Sequence, residues 1–117
     1  MTNKPPLVFY IDVDDTLIRY AGTKRMPIPR VVAHIQKLSK EGAVLYCWSS
    51  NGADYCKGVA RDLGIESCFA AFLPKPNVMI DDQPVGTWKR LVCLHPFEVD
   101  DASIDNYTTW VERGSKG

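Results

Sequence analysis

Charge of one sign is not in excess in this sequence. Its 117 residues carry 14 Lys and Arg against 14 Asp and Glu. That excludes broad nonspecific attachment to nucleic acid or an anionic membrane, while leaving room for a local patch. The four cysteines, Cys47, Cys56, Cys68 and Cys93, show no CxxC pair or other zinc spacing. In their apolar or helical settings they read as small buried hydrophobes rather than metal ligands. No apolar run approaches the ~20 residues that span a bilayer, and nothing before the first apolar run reads as a signal peptide. A cytoplasmic protein with reduced thiols is therefore expected. Internal repeats, low-complexity tracts and linkers are also missing. Residues 1–117, at 45% hydrophobic, are expected to form one domain with a real core.

What is present centres on Leu7–Leu17, LVFYIDVDDTL. Leu7 to Ile11 is apolar on both faces, which predicts a buried strand of a parallel sheet. It runs straight into Asp12, Asp14 and Asp15, followed by Thr16. Ligands of open α/β sheets gather at such strand ends. Carboxylates crowded there repel one another, and a hard divalent cation is the usual remedy. The bland alternative is a solvated, Asp-rich turn.

Further strands are predicted at Ala43–Trp48, near Phe69–Phe72, at Asn77–Ile80 and at Leu91–Leu94. Between them, Arg30–Glu41 has apolar Val31, Val32, Ile35 and Leu38 at helical spacing, with Gly42 as its stop. Ala53–Leu63 reads as a second helix, Gln83–Lys89 as a short one, and Asp101–Arg113 as a weak one. Ile18–Pro29 suits a hairpin or loop over the strand ends. Strands alternating with helices imply an α/β fold with a mostly parallel, five-stranded sheet and right-handed crossovers. Its polar strand ends, Asp12/Asp14, Ser49/Ser50 and Asp81/Asp82, then share one edge, with Lys75 in reach.

Those residue types suit phosphoryl transfer. A strand-end aspartate can attack phosphorus. A second carboxylate two residues on faces the same way and can protonate the leaving oxygen, then activate water. A serine hydroxyl and backbone amides can hold phosphoryl oxygens, a lysine can offset charge, and a further acid can complete a magnesium site.

The ordered set FYIDVDDTL, VLYCWSSNG, Lys75 in LPKPN, and VMIDDQ resembles the four motifs of the haloacid dehalogenase (HAD) superfamily of aspartate-nucleophile phosphohydrolases. The resemblance spans Phe9–Asp82. It implies a Rossmann-like three-layer sandwich and a magnesium-dependent phosphomonoesterase working through an aspartyl-phosphate. By position, Asp12 would be nucleophile and metal ligand, and Asp14 general acid/base and a further metal contact. Ser49 would bind phosphate, with Ser50 and Asn51 as alternatives for that role. Lys75 would balance charge, and Asp81 or Asp82 would bind Mg2+. The short spacings leave no room for a cap domain. An open site of this kind implies a small or macromolecular phosphorylated substrate, or a homo-oligomer whose second subunit covers it. The loop bearing Arg19, Tyr20, Lys24 and Arg25 would be the nearest flap, reading an anionic leaving group or simply lying solvated.

Two rivals stand beside this reading. A phospho-receiver domain has similar parts in another order: here Ser precedes Lys, Lys precedes the last acids, and no middle strand ends in Asp. A catalytically silent phosphate- or partner-binding module would keep the same residues without turnover. His34, in a helical pattern, and His95, before Pro96, read as surface or satisfied histidines.

Overall fold

The apolar run after Pro6 does become a strand, but it lies at the edge of its sheet. The computed structural model describes residues 5–117. β1 (Val8–Ile11) is followed by a hairpin of β2 (Ile18–Ala21) and β3 (Lys24–Pro27), then α1 (Pro29–Lys40). β4 (Val44–Ser49), α2 (Ala53–Asp62), β5 (Ala71–Pro74) and α3 (Ile104–Arg113) complete the order. Single 3-10 turns lie at Glu66–Cys68, Val85–Thr87 and Pro96–Glu98.

The main sheet is three-stranded and parallel, in the order β1-β4-β5, and the β2–β3 hairpin forms a separate two-stranded antiparallel sheet. Val8 pairs with Val44 and Ile11 with Cys47, while Tyr46 pairs with Ala71 and Ser49 with Pro74. Pro74 is tolerated because β5 is an edge strand, where a missing N–H costs no ladder bond. Both crossovers step in the same direction. Two right-handed crossovers of that kind lay their helices on one face.

The burial pattern agrees. Leu45, Cys47 and Ser49 are 1, 0 and 2% exposed, whereas Val44, Tyr46 and Trp48 on the other face are half-buried. Leu45 and Cys47 join one core with Val31, Ile35 and Leu38 of α1, Cys56, Val59 and Ala60 of α2, and Tyr107 of α3. Tyr107 sits edge-on to Phe9, with ring centroids 4.9 Å apart, and closes the core at the β1 side. On the opposite face Tyr10 packs against Tyr46 and Trp48, yet Val8 and Tyr10 stay 58 and 50% exposed.

This corrects the five-stranded, three-layer expectation. Neither Asn77–Ile80 nor Leu91–Leu94 is a strand, and Val78 and Ile80 are 77 and 96% exposed. Prolines that cannot donate to a ladder bracket both segments: Pro74, Pro76 and Pro84 around the first, Pro96 after the second. Gln83–Lys89 shrinks to the Val85–Thr87 turn because a lone seven-residue segment with Pro84 and Gly86 does not sustain helix nucleation. Cys47 and Cys56 are buried as expected, but Cys93 is exposed. Among the described residues no helix is long and apolar enough to cross a membrane.

Candidate active site

The turn after β1 is built by its own apolar residues. Val13 and Leu17 are fully buried, and the Val13 carbonyl accepts the N–H groups of Thr16, Leu17 and Ile18 at 3.2, 2.9 and 3.3 Å. Asp15 sits in the left-handed region, φ 60°, which Asp tolerates better than most residues. Asp15 and Thr16 thus hold the turn, and Thr16 donates its hydroxyl to Asp12 Oδ2 at 3.3 Å.

Three chain segments meet Asp12 and Asp14. Lys75 follows β5, and its Nζ lies 3.1 Å from Asp12 Oδ1; the two side chains are 37 and 35% exposed. The Lys75 backbone N–H donates to the Ser49 carbonyl at 2.9 Å, which ties the end of β5 to the end of β4. Lys75 Nζ also lies 5.8 Å from the Trp48 ring centroid, so the exposed sheet face supports it.

The end of β4 turns into α2 through Ser49-Ser50-Asn51-Gly52. The buried Ser49 hydroxyl accepts the Asn51 N–H at 3.0 Å and shapes this turn. Gly52, φ 100°, supplies the backbone conformation that starts the helix. Ser50 and Asn51 are exposed. Asn51 Nδ2 donates to Asp14 Oδ2 at 3.0 Å, and Tyr55, in the first turn of α2, donates to Asp14 Oδ1 at 2.6 Å. The N-terminus of α2 therefore sits at Asp14, where its free amides and positive dipole end favour anions.

The structure accordingly brings together Asp12, Asp14, Ser49, Asn51 and Lys75, with Ser50 beside them in the turn. Asp81 and Asp82 lie in the exposed segment after Pro76, and Asp81 Oδ1 accepts the Gln83 N–H at 2.9 Å. No group of three or more His, Cys, Asp or Glu fit to hold a metal ion occurs among the described residues. Near the site, burial pushes the Cys47 and Cys56 thiols up, so neither supplies a competing thiolate nucleophile.

Tyr55 carries geometry that the sequence pattern does not single out, and its partner is Tyr20, expected in the flap over the strand ends. Tyr20 on β2 places its hydroxyl 3.2 Å from that of Tyr55. The available signal is topological: the first turn of a helix following a strand faces the same edge as the acids. Arg25, in the loop expected to read a leaving group or to lie solvated, pairs with Asp62 at the end of α2. His34 is a satisfied buried histidine, with Nε2 2.8 Å from the Tyr107 hydroxyl. His95 caps the turn at Pro96–Glu98, its Nδ1 accepting the Phe97 N–H.

A family model described as a protein of unknown function (DUF705) matches residues 1–89, and the chain belongs to that family. The matched span contains the whole sheet, the hairpin, α1, α2 and every residue of the strand-end cluster. No curated protein and no solved structure matches the chain. The match corrects the haloacid dehalogenase resemblance, because the family found is DUF705 and no haloacid dehalogenase family model fits. Polar residues recur at strand ends in any parallel sheet that binds ligands there, so short motifs in order do not fix a family.

Proposed function

We propose that this DUF705 member is a phosphohydrolase, a phosphomonoesterase acting through an aspartyl-phosphate on Asp12. The observation that carries the reading is the Lys75–Asp12 pair at 3.1 Å, half exposed beside Asp14 at the strand ends. Asp12 is the nucleophile. As its Oδ–P bond forms and the P–O bond of the ester breaks, Asp14 gives its proton to the leaving oxygen. Water then attacks phosphorus, the Asp12–P bond breaks, and the water proton returns to Asp14. Lys75 offsets the charge that the phosphoryl group brings beside Asp12. Ser49 shapes the turn, and Ser50, Asn51 and the α2 amides meet phosphoryl oxygens.

Magnesium is part of the proposal. Mg2+ is commonly held by one or two carboxylates together with waters and substrate phosphate, which suits half-exposed Asp12 with Asp14 nearby. Bound there, it would neutralise phosphate charge; Asp81 and Asp82 are further candidate ligands. The substrate is a phosphorylated small molecule or macromolecular end, met in the cytoplasm.

The test is magnesium-dependent phosphate release from p-nitrophenyl phosphate, run beside Asp12→Asn and with EDTA. Loss of activity in both controls is expected. Activity that survives Asp12→Asn would overturn the nucleophile. One observation favours a catalytically silent phosphate binder as second reading: Asp12 and Asp14 already have partners for both carboxylate oxygens within the chain. Trapping of beryllofluoride at Asp12 in the wild type, without turnover of any phosphate ester, would favour that reading.

A further inference from the structure

A carboxylate that must donate a proton and then accept one needs a fixed direction. Asp14 has two anchors, Tyr55 on Oδ1 at 2.6 Å and Asn51 on Oδ2 at 3.0 Å. A carboxylate offers about four lone-pair sites, so each oxygen keeps one for a reacting group. The Tyr55 hydroxyl donates to Asp14, which commits its single proton there. Tyr20 is then the donor in its 3.2 Å contact with Tyr55.

The anchors differ in their backing. Asn51 is exposed in the turn, whereas Tyr55 packs against the core. The hairpin is fastened to α2 twice, by Tyr20–Tyr55 and by Arg25–Asp62.

We propose that Tyr55 is the positioning residue for Asp14, and that the β2–β3 hairpin is the brace of this device through Tyr20 rather than a freely swinging flap. The proposal rests on the phosphohydrolase reading. Tyr55 touches no reacting atom. It sets the direction in which Asp14 meets the leaving oxygen and, afterwards, water.

The experiment compares full-length wild type, Tyr55→Phe and Tyr20→Phe on two substrates. p-Nitrophenyl phosphate has a leaving group that needs no proton; a primary alkyl phosphate has one that does. Circular dichroism checks the fold of each variant. For Tyr55→Phe, kcat on the alkyl phosphate is expected to fall about ten- to a hundredfold with KM within about twofold, because misaimed general catalysis costs on that order. The single-turnover burst of p-nitrophenol is expected to change less than about threefold, since it needs no acid. Tyr20→Phe is expected to show the same bias at about two- to fivefold, because it acts one bond further away. Equal loss on both substrates, or no loss on either, overturns the positioning role. Should Tyr55→Phe not fold, the leaving-group bias of Tyr20→Phe decides in the same way. Asp12→Asn keeps the two levels apart. Activity surviving in it overturns the phosphohydrolase reading, while activity lost in it without any bias in the tyrosine variants overturns only the positioning role.

Discussion

His34 illustrates how a single side chain couples the fold to pH. Its Nε2 lies 2.8 Å from the Tyr107 hydroxyl, and the residue is 6% exposed. Burial, ahead of the nearby Lys37 charge, lowers its proton affinity below the ordinary value of 6.5. The unfolded chain therefore binds a proton in a pH range where the folded chain does not. Stability from this group is complete above the unfolded value and is lost as pH falls through the folded one. Urea unfolding of the wild type is expected to show stability falling as pH drops below the ordinary histidine value of 6.5, and His34→Gln is expected to flatten that slope. Tyr107, pushed up to about 12 by burial, does not titrate in this window. The sequence disclosed Asp12 and Asp14 at the end of the first strand, and Lys75, because these follow from local spacing and chain direction, whereas it set Asp81 and Asp82 at the end of a strand that does not form. It did not disclose Tyr55 or the His34–Tyr107 pair. Those contacts join residues 41 and 73 positions apart, and no local period encodes them.

At the scale of elements, the three longer helices announced themselves while Gln83–Lys89 did not become one, and strands formed only where they had partners. α1 was expected at Arg30–Glu41 and runs Pro29–Lys40, because its apolar spacing and its proline and glycine limits are properties of the segment alone. The Asn77–Ile80 and Leu91–Leu94 runs look as apolar as β1 does. A strand is half of a pair, and periodicity does not reveal whether a free edge will accept it. The end of α3 offers a test of a local device. Gly114 closes the helix in the left-handed region at φ 88°, and a Cβ there would stand 3.0 Å from the Lys89 carbonyl oxygen. Gly114→Ala combines backbone strain with this close approach and is expected to destabilise by about 1–2 kcal/mol, read from the urea midpoint. An unchanged midpoint would mean that the 89–90 segment yields freely.

Across the whole molecule, protection is expected to be graded. β4 is paired on both sides and carries the most buried residues of the sheet, while residues 77–94 have no sheet partner and expose Val78, Met79 and Ile80. Hydrogen exchange followed by mass spectrometry is expected to place the slowest amides in β4 and fast ones in 77–80. Slow exchange in 77–80 would reveal a strand pairing absent from this fold. The order β1-β4-β5 also bears on how the chain is made. Each strand adds to the one completed before it, so none must be threaded between two earlier ones. A nascent chain can lay down this sheet from its first strand outward as it leaves the ribosome. Tyr107 is different: it reaches back to Phe9 and His34 from α3, long after β1 has emerged. Until α3 has been synthesised, the β1 side of the core stays open.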